Sequence, residues 1–520
     1  MFARDWTARR ALSSPDKVAI IDAATGGSLT YKQLDERATR LANYLRYGCG
    51  IGPGDRIAVL AMNRAEILEA FFAAAKLTAI LVPLNYRLAP PELQYILEDS
   101  EPAVLLYEND FAPALEQLRP HVSIEHYINL AAPSDTNPAD GNPPYTNYER
   151  ALANSSPDPV DVELFDAEMP VLIIYTSGTT GRPKGALLSH RMLTWNSINT
   201  TIGWDIVSAD VTTVHMPLFH TGGFNVLTLP LLHAGGTVVM LRSFDVEKVL
   251  HALAQHRCTI FFGVPTIFQM MLKSPQFDTT DLSAMRYFIS GGAPCPVPLI
   301  EAIQKRGVAF TQGYGLTEVG PNCFRLSLND AVRKTGSIGF PTFHSEARIV
   351  DETGHDVARG AIGELLLRGG HVCSGYWRNS EATAAALSDG WFYTGDLARQ
   401  DEEGYYYIAG RAKDMIISGG ENIYPAEVEA VLHEHPAIAS AALLGLPDPK
   451  WGERPVAAVT ICKDSVVTAE EIVQFCSGKL ARYKIPREVF FVAEFPLLAS
   501  GKVYKRGLKE EIERLANGKP

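Results

Sequence analysis

The sequence predicts an α/β fold, because helical and strand-like segments alternate over much of its length. Strand-like runs lie at IAVLAM (57–62), AILVPL (79–84) and AVLLY (103–107), with helical patterns between them. Such alternation is typical of right-handed βαβ units and mainly parallel sheets. Short runs separated by turn signals begin near Ser345 and predict antiparallel strands. We therefore expect a large N-terminal domain of mainly parallel sheets flanked by helices, a small antiparallel β-subdomain and a small C-terminal α+β domain.

An early helix is predicted by a capping box at Thr30 and Gln33. Its apolar face consists of Leu34, Ala38, Leu41 and Leu45. The most hydrophobic stretch, residues 70–84, is interrupted by Lys76 and Pro83 and is too short to span a membrane. This stretch predicts a buried helix that runs into a strand.

The central and C-terminal parts continue the pattern. Buried strands are predicted at PVLIIYT (170–176), TTVHMPL (212–218), GTVVML (236–241), TIFFGVP (259–265), YFISGG (287–292) and VAFTQGYG (308–315), and antiparallel strands at EARIVD (346–351), IGELLLRG (362–369) and GYYYIAGR (404–411). Beyond Arg411, a helix from Pro425 and another capped by Thr468 and Glu471 belong to a unit of about 110 residues that can fold separately. We place residues 1–411 in the first domain and 412–520 in the second.

The composition disfavours several kinds of protein. The 47 basic residues against 59 acidic residues give a net charge of −12, which disfavours nucleic acid as a main partner. The seven cysteines contain no CxxC pair, so neither a disulfide framework nor a zinc site is indicated, and a reducing, cytoplasmic location is expected. The N-terminus lacks a signal-peptide core, and no integral membrane segment is expected.

The most informative segment is YTSGTTGRPKG (175–185), which follows a predicted strand. Its glycines let backbone N–H groups approach an anion, its hydroxyls add donors, and Lys184 adds a positive charge. The segment predicts a polyphosphate-binding loop, with a plain structural turn as the alternative. A P-loop of the GxxxxGK[ST] type is disfavoured, because Lys184 follows Pro183 and precedes Gly185.

Further segments carry candidate ligand-binding residues. In GYGLTE, the glycines would let the Tyr314 ring lie against a planar base, and Glu318 offers oxygen to Mg²⁺. In YTGD, Asp396 is a suitable partner for ribose hydroxyls, and Arg411 ends a strand-like run after it. Near the C-terminus, PLLASGKVYKR offers Lys502 in a loop. Taken singly, such residues are more often turn residues or solvated surface charges.

In this order, the segments resemble those of the acyl-adenylate-forming superfamily of AMP-binding enzymes. That group contains acyl-CoA synthetases, adenylation domains of nonribosomal peptide synthesis and beetle luciferases, and the chain looks most like the acyl-CoA synthetase or fatty acid–CoA ligase branch. The resemblance covers essentially the whole chain. The matching blocks are YTSGTTGRPKG, SGGAP (290–294), QGYGLTE (312–318), YTGD (393–396), GR (410–411), KDMIISGGENIYPAEVE (413–429) and SGKVYKR (500–506).

The resemblance implies a two-step reaction that uses ATP, Mg²⁺ and CoA. A carboxylic acid and ATP would give an acyl-AMP and pyrophosphate, and the thiol of CoA would then give acyl-CoA and AMP. Catalytic roles are implied for Lys502, Glu318 and His220, and metal binding for Thr176 and Glu318. The residues implied in ATP and AMP binding are Thr176, Ser177, Gly178, Thr179, Thr180, Gly181, Lys184, Gly291, Gly292, Ala293, Gly313, Tyr314, Gly315, Thr317, Asp396 and Arg411.

The resemblance also implies a mobile C-terminal domain that rotates between the two steps, with Lys413 at the hinge. Rotation would withdraw Lys502 from the acyl-AMP and bring the loop at Gly419 to it. The residues implied in the CoA tunnel are Gly419, Gly420, Glu421, Trp451, Tyr483 and Arg487.

The segment MPLFHTGGFNVL (216–227) is expected to form one wall of the acid-binding pocket. Adenylation domains for amino acids typically have an aspartate near here, whereas this chain has Phe219 and His220, so an amino acid is disfavoured. The expected pocket is mostly apolar and has no cationic side chain for a second carboxylate. Its residues are His220, Thr221, Gly222, Phe224, Gly263, Val264, Gly291, Tyr314, Gly315 and Val319. We predict a fatty acid of medium or long chain as the substrate, with an aryl or cinnamate-type acid as the alternative, and leave open whether His220 gates the substrate or only packs.

Other functions remain as alternatives. A luciferase-like oxygenase would share the adenylation step. A non-catalytic nucleotide-binding protein is disfavoured by Lys502, Glu318 and Asp396. The expected partners are a small carboxylic acid, ATP and CoA, with no nucleic acid and with a homodimer left open.

Overall fold

The structure is a computed structural model that describes residues 5–131, 145–161, 165–176, 182–463, 465–498 and 503–518. Several predicted site residues lie outside the described residues. They are Ser177, Gly178, Thr179, Thr180 and Gly181 of the phosphate loop, and Lys502.

Strands and helices alternate along the described residues. In chain order, the strands are β1 (Val18–Asp22), β2 (Ser28–Thr30), β3 (Arg56–Leu60), β4 (Ile80–Pro83), β5 (Val104–Tyr107), β6 (His126–Asn129), β7 (Tyr145–Asn147), β8 (Pro170–Thr176), β9 (Lys184–Ser189), β10 (Val211–Val214), β11 (Thr237–Met240), β12 (Ile260–Gly263), β13 (Tyr287–Ser290), β14 (Phe310–Tyr314), β15 (Phe324–Arg325), β16 (Phe340–Pro341), β17 (Glu346–Val350), β18 (Gly363–Arg368), β19 (Leu387–Ser388), β20 (Trp391–Gln400), β21 (Tyr406–Arg411), β22 (Ile416–Ser418), β23 (Glu421–Ile423), β24 (Ile438–Asp448), β25 (Gly452–Ile461) and β26 (Glu488–Phe491). The α-helices are α1 (Trp6–Ser13), α2 (Tyr31–Asn43), α3 (Ala65–Leu77), α4 (Pro90–Ser100), α5 (Ala112–Leu118), α6 (Tyr148–Ala153), α7 (His190–Gly203), α8 (Thr221–Phe224), α9 (Thr228–Ala234), α10 (Val246–Gln255), α11 (Pro265–Lys273), α12 (Val297–Gln304), α13 (Ser380–Ala386), α14 (Pro425–His433), α15 (Ala469–Cys476) and α16 (Lys505–Asn517).

The large N-terminal part is built on mainly parallel sheets. One sheet has the order β7-β6-β5-β3-β4-β8-β9 and is parallel except for the β8–β9 hairpin. A second has the order β10-β11-β1-β2 and is parallel except between β1 and β2. A third, β12-β13-β14-β15-β16, is parallel across its first three strands.

The remaining sheets are mainly antiparallel. The order β17-β18-β20-β19, with β21 paired to β20, forms the small antiparallel subdomain. The order β23-β22-β25-β24, with β26 parallel to β25, forms the C-terminal sheet, whose core also includes residues of α14 and α15. The predicted fold class is thereby confirmed, while the boundary at residues 411 and 412 and the mobility of the second domain stay predictions.

Local signals explain the early helices. At the start of α2, the backbone N–H of Gln33 donates to Thr30 Oγ1 (3.2 Å) and that of Thr30 donates to Gln33 Oε1 (2.8 Å), as the capping box predicts. The predicted apolar face, Leu34, Ala38, Leu41 and Leu45, is fully buried. The stretch 70–84 is the predicted helix and strand, α3 and β4.

The buried charge of α3 is neutralised by its neighbours. Lys76 Nζ contacts Asp35 Oδ1 (2.6 Å) and Asp5 Oδ2 (2.7 Å). These contacts allow an ammonium group inside the protein, where an unpaired charge would be costly. Among the helices that the structure describes, none combines the length and the apolar character needed to cross a membrane.

The chain after β10 leaves its sheet earlier than the strand-like run 212–218 predicts. The strand ends at Val214, and the following backbone is held by the buried side chain of Asn63. Asn63 Nδ2 donates to the carbonyl of Met216 (2.9 Å), and the N–H of Leu218 donates to Asn63 Oδ1 (2.9 Å). One amide side chain thus replaces the partners that a strand would have supplied, and it fixes the backbone just before His220.

Candidate active site

The candidate site lies at the carboxyl ends of three parallel strands. The strands β12, β13 and β14 end at Gly263, Ser290 and Tyr314, and Gly263 pairs with Ser290 across the sheet. Ligands of open α/β sheets bind outside the carboxyl ends of the strands. The sheet therefore brings the predicted nucleotide segments 290–294 and 313–318 next to each other.

The turn after β14 requires glycine because of a close backbone approach. A Cβ on Gly315 would lie 2.4 Å from the carbonyl carbon of Pro321 and 2.5 Å from the carbonyl oxygen of Gly320. Gly292, after β13, has φ of +81°, a conformation that favours glycine. Glycine at these two positions lets the backbone turn tightly after β13 and after β14.

Tyr314, Asp396 and Arg411 form one hydrogen-bonded group. The Tyr314 hydroxyl donates to Asp396 Oδ2 (2.5 Å), and Arg411 Nε donates to Asp396 Oδ1 (2.6 Å). Asp396 is almost fully buried and faces Arg411 as its cross-strand partner in β20 and β21. Burial, followed by the charge of Asp396, raises the pKa of Tyr314 well above its usual range, so its hydroxyl stays protonated. The structure thus brings together the residues predicted for adenine and ribose.

One carboxylate oxygen of Glu318 accepts hydrogen bonds from two hydroxyl groups. Thr176 Oγ1 and the Tyr376 hydroxyl donate to Glu318 Oε1 at 3.3 and 3.1 Å. The backbone N–H of Cys373 also donates to the carbonyl of Glu318 (2.7 Å). Burial, followed by the charge of Glu318, raises the pKa of Tyr376, which keeps its hydroxyl a donor. The two predicted metal ligands, Thr176 and Glu318, are therefore in contact.

This arrangement fits a magnesium ion that also binds phosphate. Proteins usually hold Mg²⁺ through one or two carboxylates, with substrate phosphates and water as the other ligands. Thr176 and Glu318 supply a hydroxyl and a carboxylate oxygen within 3.3 Å of each other. In the described part of the chain, no cluster of three or more His, Cys, Asp or Glu residues forms a metal cage.

Lys184 lies at the base of the predicted phosphate loop. It is the cross-strand partner of Thr176 in the β8–β9 hairpin. Its Nζ lies 5.5 Å from the centroid of the Tyr376 ring, within the range of a cation–π contact. The described ends of the loop therefore place an ammonium and a hydroxyl group beside the tyrosine that contacts Glu318.

His220 precedes the short helix α8. Its Nδ1 accepts from the backbone N–H of Gly222 (3.0 Å), so the neutral ring carries its proton on Nε2. Thr221 is buried at the start of α8. Phe224 is fully buried, and its ring meets that of Phe71 edge to face at 5.2 Å. Of the predicted pocket residues, Phe224 thus packs into the hydrophobic core.

A small cavity lies between α8 and the end of β12, with a volume of about 10 Å³, which is roughly the space of one water molecule. The predicted pocket residue Gly222 lines it, as does Met216 of the predicted wall 216–227, together with His215 and Phe262, which the sequence did not identify. Phe262 also reaches the nucleotide segment, because a Cβ on Gly291 would lie 3.1 Å from its ring. The only available signal was position, since these residues flank the predicted pocket segments. Three other predicted pocket residues are also buried. Gly263 ends β12, Val264 follows it, and Val319 comes after β14.

Several residues predicted for CoA lie together in the C-terminal part. Gly419 has φ of +62°, and a Cβ there would lie 2.6 Å from the indole of Trp451. The Arg487 guanidinium lies 6.0 Å from the centroid of a Trp451 ring. Gly420 follows in the exposed turn, Glu421 is the exposed first residue of β23, and Lys413 is exposed in a 3-10 helix, Ala412–Asp414. Tyr483 packs against the core formed with α14 and α15.

The fold and this site define an adenylate-forming enzyme, with the predicted nucleotide segments at the strand ends and a small C-terminal sheet domain. The profile of the AMP-binding enzyme family matches residues 7–377, and that of the AMP-binding enzyme C-terminal domain matches residues 427–502. The chain belongs to the AMP-binding enzyme family. The predicted superfamily is thereby confirmed.

Curated relatives match almost the entire chain. A feruloyl-CoA synthase of an Amycolatopsis species is 40% identical over 509 residues, which cover 98% of both chains. An indoleacetate–CoA ligase of Aromatoleum aromaticum is 40% identical over 511 residues, again 98% of both. The long-chain-fatty-acid–CoA ligase FadD13 of Mycobacterium tuberculosis is 35% identical over 507 residues, or 97% of this chain and 98% of its own. These similarities confirm the predicted class of enzyme, an AMP-forming acid–thiol ligase.

Solved structures agree with the fold. The anthranilate–CoA ligase AuaEII in complex with anthranoyl-AMP has a TM-score of 0.90 at 29% identity, covering 99% of this chain and 98% of its own. ATP-bound MatB from Rhodopseudomonas palustris has a TM-score of 0.89 at 32% identity, covering 99% and 100%. Proteins of this fold therefore bind ATP and an acyl-AMP.

Proposed function

We propose that the protein is an ATP-dependent CoA ligase for aromatic carboxylic acids of the aryl or cinnamate type. The observation that carries the proposal is the order of similarity among the relatives. The feruloyl-CoA synthase and the indoleacetate–CoA ligase are 40% identical to this chain, whereas the fatty-acid ligase is 35% identical at nearly the same coverage. The fatty acid, which was our first prediction, is therefore the weaker candidate.

Aromatic side chains beside the predicted acid-binding segment support an aromatic substrate. The cavity beside Gly222 is bordered by Phe262 and His215, and the His215 ring stacks on Phe261 with centroids 4.8 Å apart. Ring-lined walls favour offset or edge-on contact with another flat ring.

For the first step, we propose roles that follow the contacts in the site. The carboxylate of the acid attacks the α-phosphorus of ATP, and pyrophosphate leaves. Lys502 is proposed to contact the carboxylate and the α-phosphate, and Lys184 the outer phosphates. Magnesium, held by Thr176 and Glu318, would offset the phosphate charge.

The nucleotide would be held by the group around Asp396. In this proposal Tyr314 lies against adenine, while Asp396 binds the ribose hydroxyls and Arg411 holds the carboxylate in place. For the second step, the C-terminal domain turns about Lys413, so that the turn at Gly419 replaces Lys502 at the acyl-AMP.

A panel of acids tests the proposal. Pyrophosphate release is measured with and without CoA for cinnamates, arylacetates, benzoates, octanoate and palmitate. We expect the highest kcat/KM with an aromatic acid, and acyl-CoA formation once CoA is present. A Lys502→Ala variant is the control, because it should lose pyrophosphate release with every acid while still converting a supplied acyl-AMP to the thioester.

The panel separates the competing functions. If palmitate or octanoate is activated better than every aromatic acid, a fatty acid is the substrate and the proposal is wrong. Pyrophosphate release without any thioester in the presence of CoA would point to another acceptor. Light emission with luciferin would favour the oxygenase alternative.

A further inference from the structure

The cavity beside Gly222 is lined by a buried histidine that the adenylation chemistry does not use. His215 lines the cavity and is 2% exposed. Its Nε2 is buried and has no hydrogen-bond partner among the described residues. An unpaired buried nitrogen costs stability, so it calls for a specific explanation such as a ligand.

The other nitrogen of the ring is already engaged. His215 Nδ1 and Thr213 Oγ1 are 3.0 Å apart, and Thr213 also lines the cavity. The ring itself is fixed by stacking on Phe261 at an interplanar angle of 12°. His215 is therefore oriented by its surroundings, with one nitrogen left over.

Among the described residues, no charged side chain lines the cavity, whose polar side chains besides His215 are Thr213 and Thr228. Met216, Leu227 and Phe262 line the same cavity. Burial lowers the pKa of His215 to about 3, so the ring is neutral at physiological pH. A charged substituent would be poorly matched to this environment, whereas a neutral hydroxyl could pair with the ring without leaving an uncompensated charge.

We propose that His215 is a specificity-determining residue that hydrogen-bonds a phenolic hydroxyl on the aromatic ring of the acid. A phenol can donate and accept, so it pairs with Nε2 whichever way the Thr213 hydroxyl is oriented. The small cavity has room for a group of the size of this hydroxyl, and His215 would select it. This inference rests on the proposed aromatic substrate and adds the group that the pocket recognises.

The test compares 4-hydroxycinnamate with cinnamate, which differ only in that hydroxyl. We expect the wild-type enzyme to prefer 4-hydroxycinnamate about tenfold in kcat/KM for pyrophosphate release, as one well-placed hydrogen bond provides. In His215→Leu the ratio should fall to about one, mainly through slower reaction of the hydroxylated acid. His215→Gln, which keeps a hydrogen-bonding group, should restore part of the preference.

A matched control is available in His233. This histidine is paired through Nδ1 with Ser197 Oγ (2.7 Å), stacks on Trp6 and does not line the cavity. His233→Leu should keep the full preference for 4-hydroxycinnamate. The control separates recognition of the hydroxyl from a general effect of removing a buried histidine.

The outcomes are distinguishable. If no aromatic acid is activated, the proposed function fails, and this inference fails with it. If aromatic acids are activated but the two cinnamates react equally well, or the preference survives in His215→Leu, only the role of His215 is overturned. Should His215→Leu not fold, the wild-type enzyme and His215→Gln decide. The proposal is contradicted if the wild-type ratio of kcat/KM for the two cinnamates is near one. It is also contradicted if wild type and His215→Gln favour cinnamate to the same extent.

Discussion

Replacing Tyr376 with phenylalanine is expected to weaken the response of the enzyme to magnesium. The change deletes only the hydroxyl that donates to Glu318 Oε1 at 3.1 Å and leaves Thr176 as a donor at 3.3 Å. Hydrogen bonds to charged groups contribute roughly 1.5–3 kcal/mol. Because this contact is long for an O–H···O bond, the lower value of about 1.5 kcal/mol applies, which corresponds to about a tenfold change in an equilibrium constant.

The assay is pyrophosphate release at saturating ATP and acid while the Mg²⁺ concentration is varied. The half-saturating Mg²⁺ concentration should rise about tenfold, while kcat at excess Mg²⁺ should fall by less than about twofold, because the carboxylate itself remains. Tyr44→Phe is the matched control, since it deletes a hydroxyl that bonds to Thr146 (2.9 Å). An unchanged Mg²⁺ response in Tyr376→Phe, or an equal shift in Tyr44→Phe, would refute the reasoning.

The other predictions concern buried histidines and a crowded glycine. Burial lowers the pKa of His215 to about 3 and that of His233 to about 4. Below pH 6.5 the unfolded chain therefore binds more protons than the folded chain. As the pH falls, each histidine should lower the free energy of unfolding by roughly 1.4 kcal/mol per pH unit. Urea unfolding at pH 7.5 and 5.5 measures this loss, and it should be smaller in His233→Leu; an undiminished loss there would contradict the prediction. A Cβ on Gly223 would lie 2.2 Å from the carbonyl oxygen of Pro217, whereas one on Gly222 would come no closer than 3.1 Å to His220. Gly223→Ala should therefore lower the free energy of unfolding by about 3 kcal/mol and raise the KM for the acid, and Gly222→Ala should have smaller effects on both. Equal unfolding temperatures and equal KM values in the two variants would contradict this prediction, because they would show that the backbone shifts to make room.

Features that depend on neighbouring residues were predictable from the sequence. The capping boxes at Thr30 and Thr468 are both present, because each involves a residue only three positions away. The strand before the phosphate loop also has its predicted bounds. The strand after the loop, Lys184–Ser189, was missed, because its pairing depends on β8 rather than on an alternating pattern of its own.

Contacts that complete the site are distant in sequence and mostly escaped prediction. Family motifs indicated that Thr176 and Glu318 share a site, and they meet across 142 positions. Nothing in the sequence indicated that Tyr376 would contact the same carboxylate. His215 was assigned to a strand, and its unpaired nitrogen is visible only once the packing of Thr213 and Phe261 is known.

The amide of Asn63 has a consequence for engineering the acid specificity. It lies 153 positions before Met216, yet it holds the backbone that leads to His220. A segment grafted from a relative over residues 215–228 would bring its own pocket side chains but would rest on this distant amide. The smallest transferable unit for changing the substrate is therefore discontinuous, and position 63 has to be chosen together with the graft.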